Sequence, residues 1–229
     1  EDGSGLGSRL PPEPDAAMAA AMVPFLWVID DFLRNPHMVR EKALALTYSR
    51  TGHYPGRGSV ERLAIEGLDQ VVSLLVRQPL QPNWPANHAH STCRLTLAEH
   101  SEDAPIHVDP NHLSGLLYLS RPEDCRGGTE FYRHRRTGTD RMPMDPESLR
   151  KIGYSSYAEL EQDILKKEGW DRSKWEQTME VPMRFNRLIM FQPQYWHTAG
   201  PGFGDSVENG RLVYLVFFQR MAQAADAQA

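Results

Sequence analysis

Apolar positions change texture along the chain. Up to about residue 80 they run together once and then recur at helical spacing, whereas from residue 90 they fall in short, strand-length runs. Val23 to Phe32 (VPFLWVIDDF) is apolar and partly β-branched and predicts a strand. Asn35-Pro36 opens a helix with apolar positions Val39, Ala43, Leu44 and Leu46, because proline is tolerated in a first turn, where its missing N–H has no partner to lose. Leu68 to Val76 predicts a second helix, stopped by Pro79. Between them Tyr54-Pro55-Gly56-Arg57-Gly58 reads as a loop able to cover a site. The expected strands from residue 90 are STCRLTLA, PIHVD, LSGLLYLS and GGTEFYRHR, closing with RFNRLIMFQP and RLVYLVFFQR. Residues 138–180 are polar and helix-prone, with DPESLRKI and YAELEQDILKKEG the clearest pieces.

Helices first and many short strands afterwards imply an α+β, mainly β fold: an antiparallel sheet or barrel with the N-terminal helices on one side. A jelly-roll barrel of the cupin type, a double-stranded β-helix, fits this order. The helical insertion at 138–180 is longer than ordinary connections, which suits a lid or a substrate clamp. Residues 1–22 and 222–229 are rich in small residues and read as tails or expression remnants, which leaves 23–221 as a single domain.

Composition narrows the partners. A formal net charge of −5 supplies no basic stripe and argues against nucleic acid. No apolar run reaches the roughly 18–20 residues that span a bilayer, and no secretory signal is evident, so a cytoplasmic protein without a membrane partner is expected. The two cysteines, Cys93 and Cys125, read as reduced thiols rather than a disulfide scaffold or a Cys-rich zinc site.

The chemistry concentrates at His107-Val108-Asp109, His197 and Arg211. In an extended strand, side chains two apart share a face, so His107 and Asp109 can point at one ion. His197, from a distant strand, completes two imidazoles and one carboxylate, the set that holds non-haem Fe(II) with open positions and that also suits zinc. Arg211 opens the most β-prone segment of the chain, a costly place for a cation unless it meets an anion or stays at the surface.

The order HVD…GLLYLS…CRGGTEFY…NRLIMFQPQYWHTAGP…RLVYLVFF resembles the Fe(II)/2-oxoglutarate-dependent oxygenases, nearest to the prolyl-hydroxylase-like branch, over about residues 90–219. The N-terminal FLWVIDDFLRNPHMVREKAL…HYPGRGS resembles a microbial subgroup acting on free amino acids. The resemblance implies Fe(II) held by His107, Asp109 and His197, with 2-oxoglutarate and O2 as cosubstrates and a small-molecule C–H bond as the target. Hydroxylation is the default outcome, and ring closure or desaturation uses the same chemistry. Arg211 and Tyr118 would take the distal carboxylate of 2-oxoglutarate, and Gly127-Gly128 matches the family's glycine turn. Asp109 argues against halogenation, since halogenating relatives carry a small residue there. Two features depart from the family: the long loop GPGFGDSVENG before Arg211, and the 138–180 insertion.

Other residues admit both structural and functional readings. Glu130, Tyr132 and His134 share one strand face, which makes Glu130 and His134 candidate substrate contacts, while Arg57 and Arg94 are candidates for a substrate carboxylate. An inward Glu130 suits an ammonium group and so, with an arginine, an amino acid. His88, His90 and His112 read as loop or turn residues, and Trp196 as core packing. The competing function is a non-redox metal enzyme, a zinc-dependent hydrolase or cupin-type isomerase on the same three ligands. A metal-free binding module would leave the three without a purpose.

Overall fold

The last strand, Arg211–Arg220, sets the layering of the molecule, because its side chains alternate between two apolar layers. Leu212, Tyr214, Val216 and Phe218 enter one layer, while Val213 and Leu215 enter the other. The computed structural model describes residues 24–221 except residue 53, residues 84–88 and residues 101–103. Both expected tails and His88 therefore lie outside the described residues.

In chain order the elements are β1 (Leu26–Ile29), α1 (Pro36–Leu44), β2 (Tyr48–Arg50), β3 (Arg57–Ser59), α2 (Leu68–Val76), β4 (Leu80–Pro82), β5 (Thr92–Thr96), β6 (Leu113–Tyr118), β7 (Gly128–His134), α3 (Pro146–Lys151), α4 (Tyr157–Leu160), β8 (Trp175–Pro182), β9 (Leu188–Phe191), β10 (His197–Ala199) and β11 (Arg211–Arg220). The major sheet runs β1-β9-β6-β11-β5-β3-β2, with β4 also paired to β11; the minor sheet runs β10-β7-β8. Every pairing is antiparallel.

These sheets form a double-stranded β-helix. Val39, Ala43, Leu68, Val72 and Val76 of α1 and α2 cover the outer face of the major sheet. Tyr118, Phe131, Ile189, Phe191 and Val213 fill the space between the sheets. On the outer face of the minor sheet, Tyr132, Trp175 and Trp196 meet Leu149, Leu160 and Ile164 of the insertion. Trp196 is thus core, as its position beside His197 on an alternating strand requires. Both cysteines are free, and burial pushes the Cys93 thiol up to about 12. No helix among the described residues is long and apolar enough to cross a membrane.

Three sequence expectations need correction. PIHVD forms no regular strand: His107 makes a single bridge to His197, because Pro105 and Pro110 on either side lack the N–H that a ladder needs. The helical part of the insertion ends well before residue 180, since Trp175–Pro182 is β8, an edge strand whose polar residues remain exposed beside a single neighbour. The short strands β2, β3 and β4 were not expected; Arg57 and Gly58, read as loop, pair with Leu95 and Arg94.

Gly115 sits mid-sheet between β9 and β11, opposite Met190 and Val216. A Cβ there would fall on the Met190 sulfur, 2.8 Å from the Ile189 carbonyl oxygen and 2.9 Å from Val216 Cγ2. Gly115→Ala should therefore cost about 1–3 kcal/mol of stability through overpacking. The denaturation midpoint measures it, and an unchanged midpoint would mean that the sheet spreads freely at this point.

Candidate metal centre

His107 and His197 face each other as a two-way backbone pair, with His107 N donating to His197 O at 3.0 Å and His197 N to His107 O at 3.2 Å. Directly opposed residues of an antiparallel pair project their side chains to the same side. The ring centroids lie 4.3 Å apart. Asp109 is held by its own N–H, which donates to Pro193 O at 3.2 Å.

Nδ1 of His107 lies 2.9 Å from Pro105 O and Nδ1 of His197 2.8 Å from Tyr195 O. A carbonyl accepts only from N–H, so each Nδ1 carries the proton and each Nε2 is left with a lone pair for an ion. The two Nε2 atoms lie 3.7 and 3.6 Å from the Asp109 carboxylate oxygens, and one donor atom from each of the three residues falls within 4.8 Å of the others. Donors bound at about 2.1 Å around one ion stand roughly 3.0–3.5 Å apart, so the set has the size a single metal spans.

The local electrostatics also suit a cation. Burial, with help from His197, pushes the His107 imidazole down to about 4, which keeps it neutral and available as a ligand near pH 7. Burial alone would raise the Asp109 carboxyl; contacts to His197, His107 and the Ser114 hydroxyl outweigh it and hold the group well below the usual carboxylate range. Ser114 Oγ donates to Asp109 Oδ2 at 2.7 Å. Tyr54, from the loop expected to cover a site, sets its ring centroid 4.6 Å from that of His107, tilted by 50°.

A cavity of about 570 Å³ opens onto these atoms. His197 and Thr198 both line it, although neighbours on a strand face opposite sides of the sheet. The cavity therefore reaches around the edge strand β10. One lobe lies between the sheets, with Arg94, Thr96, Ser114, Arg211 and Val213; the other follows the outer face of the minor sheet, with Glu130, Tyr132, Arg172, Trp175 and Gln177.

Arg211 is 2% exposed and faces the inner lobe from the first position of β11. Its Nη2 donates to Gly128 O at 3.3 Å, and its Nε has no hydrogen-bond partner among the described residues. Burial pushes this guanidinium down, with Tyr118 and Glu130 opposing, but an arginine stays cationic. Tyr118 is fully buried, with its hydroxyl 2.8 Å from Thr129 Oγ1. Arg94 also lines the cavity and donates to the carbonyls of Tyr54 and Pro55 at 3.3 and 3.2 Å, which ties down the covering loop.

Two candidate contacts fall away. Arg57 is exposed and opposes Leu95, on the sheet face turned from the cavity that Arg94 lines. His134 is fully buried and engaged by Glu168 at 2.6 Å and Thr137 at 2.9 Å, so it anchors the insertion and does not line the cavity. His90 bonds the Phe217 backbone and His112 bonds Gln78. Sequence reasoning passed over Tyr54, Ser114 and Arg172 as site residues. Ser114 could have been found, since it shares the inward face of LSGLLY with Tyr118; nothing local marks Arg172.

A family model described as a family of unknown function (DUF6445) matches residues 17–218. The chain belongs to that family. No curated protein matches this DUF6445 member by sequence. Among solved structures, it is similar to HygX from Streptomyces hygroscopicus with nickel and 2-oxoglutarate bound, at 15% identity and a TM-score of 0.47, over 90% of this chain and 91% of that one. The carbocyclase SnoK from nogalamycin biosynthesis, described as non-heme and alpha-ketoglutarate dependent, gives 12% identity and a TM-score of 0.46 over 86% and 80%. A prolyl hydroxylase from Trichoplax adhaerens gives 10% and 0.43 over 90% and 88%.

Ser114→Ala removes the hydroxyl that orients Asp109. Loss of such a supporting bond should weaken metal binding by about 10- to 100-fold with the fold retained. A competition titration with zinc reads this, and an unchanged affinity would show that Asp109 holds its orientation unaided.

Proposed function

We propose that this DUF6445 member is an Fe(II)- and 2-oxoglutarate-dependent oxygenase that oxidises a C–H bond of a small molecule, an amino acid or a related metabolite. The observation that carries the reading is Arg211: a fully buried cation, with no acidic partner within ion-pair distance among the described residues, facing the lobe onto which the three ligand atoms open. A hydrolytic metal site has no need of such a clamp, whereas a cosubstrate with a free carboxylate does.

The donor set fits iron. His107, Asp109 and His197 would hold it on one side, which leaves the cavity side for reactants. When bound with 2-oxoglutarate and O2, iron supplies an oxidant able to break a C–H bond; the balance for hydroxylation is substrate plus 2-oxoglutarate plus O2 giving alcohol, succinate and CO2. The protein's part is placement. Arg211 meets the distal carboxylate, and Tyr118, whose phenol burial keeps protonated, lies beside that guanidinium to donate to the same group. Ser114 fixes Asp109, and Tyr54 shields His107 from water. Glu130 lines the cavity, and its negative charge suits a substrate ammonium group, which supports the amino-acid reading.

Anaerobic addition of Fe(II) and 2-oxoglutarate should give a visible charge-transfer band, and Asp109→Ala should abolish both the band and succinate formation without unfolding the chain. Hydrolytic turnover of the zinc form with no such band would favour a non-redox enzyme instead.

Arg211→Ala should weaken 2-oxoglutarate binding by about 2–4 kcal/mol, the scale of a desolvated charge pair. Equilibrium titration measures it, and a wild-type affinity would move the clamp to Arg94.

A further inference from the structure

The outer lobe of the cavity holds a second cation that the metal chemistry does not use. Arg172 stands in the short turn Arg172–Lys174 that leads from the insertion into β8. Its Nη2 donates to Ala104 O at 3.0 Å, its guanidinium carbon lies 5.2 Å from the centre of the Tyr132 ring, and its Nη1 is buried with no hydrogen-bond partner among the described residues. Both contacts are with neutral groups. The Tyr132 hydroxyl donates to Glu130 Oε2 at 2.6 Å, so Glu130 also meets a neutral partner there. One positive and one negative group thus line the same lobe with an aromatic ring between them.

We infer that Arg172 binds the carboxylate and Glu130 the ammonium of a small zwitterion in this lobe, which makes Arg172 a specificity-determining residue; calling that guest the substrate rests on the oxygenase reading. A buried N–H without an acceptor lowers stability, and a guest carboxylate supplies the missing acceptor. The lobe favours a monoanion over a phosphate, because Glu130 repels a second negative charge. Arg172 is also presented rigidly. Asp171 Oδ1 accepts from Ser173 N at 3.0 Å, Trp175 Nε1 donates to Glu168 O at 2.9 Å, and Glu168 grips His134 of β7. A cation held in place before its ligand arrives loses little freedom on binding. The lobe adjoins the metal centre, since Thr198, which lines it, directly follows the ligand His197.

The test uses the full chain loaded with Zn(II), which binds without turnover, and with 2-oxoglutarate. Calorimetric titration is run with the common amino acids and then with the carboxamide and N-acetyl forms of any that bind. At least one amino acid should bind, and both capped forms should fail. Arg172→Gln should weaken that amino acid by about tenfold or more, the scale of a lost charged hydrogen bond. Arg172→Lys should recover part of it, and both variants should bind 2-oxoglutarate as the wild type does, which also shows that they are folded. Binding of the carboxamide as tightly as the parent, wild-type affinity in Arg172→Gln, or no amino acid bound at all would overturn the assignment. If the wild-type zinc form fails to bind 2-oxoglutarate, the oxygenase reading falls instead, and the amino-acid titrations still judge Arg172.

Discussion

The two-way backbone pair between His107 and His197 is the constraint on which the site depends. The segment that carries His107 and Asp109 belongs to no regular strand, so a ladder does not fix its course. It hangs instead from a few separate bonds: the pair to His197, Ile106 N to Gly169 O at 2.9 Å and Asp109 N to Pro193 O at 3.2 Å. Two of these reach the segment around β10, and one reaches the insertion. The polar stretch after β7 is thereby part of the scaffold of the ligand atoms as well as a wall of the outer lobe. Its anchorage is polar too, through His134–Glu168 and through Arg136 with Asp163 at 2.8 Å and Tyr154 at 3.0 Å.

Electrostatics divide the cavity into functions. The inner lobe holds Arg211, which is buried, and Arg94, which is partly buried; burial pushes both guanidinium groups down, Arg211 adds to the effect on Arg94, and neither has an acid at ion-pair distance among the described residues. Leaving such groups buried and unpaired is unfavourable for a fold that needs only to be stable. The arrangement makes physical sense when a dianion completes it. Asp109 shows the opposite case: the Ser114 hydroxyl donates to it, and the two Nε2 atoms stand 3.7 and 3.6 Å from its oxygens, a spacing that a cation among them would satisfy.

How far the chain could be read from sequence follows from what each signal depends on. Strand alternation is local, so the core role of Trp196 followed from periodicity, whereas the roles expected of Arg211 and Tyr118 rested on the family resemblance. The three candidate ligands were picked out by residue type and spacing, and their donor atoms do come together even though the strand expected around His107 and Asp109 does not form. Arg57 and His134 were misplaced for non-local reasons. The face of Arg57 depends on its register against β5, and the partner of His134 is a glutamate in the insertion. Arg172 carries no local signal at all, since its neighbours Asp171 and Ser173 spell an ordinary capped turn. Strand β8 was hidden by its composition, because an edge strand facing water reads as polar helix.

The shortness of β10 explains how one cavity serves two sets of groups. A three-residue edge strand separates the sheets' interior from the insertion side, and successive residues on it look in opposite directions. His197 faces inward to the other ligands, and Thr198 faces outward, where its hydroxyl donates to the same Ala104 carbonyl that receives Arg172. A longer or more central strand would wall the lobes apart. Each lobe is lined by an arginine with a buried nitrogen that has no partner among the described residues, Nε of Arg211 in one and Nη1 of Arg172 in the other. An anion that filled either position would bind the folded chain alone and so stabilise the fold by mass action.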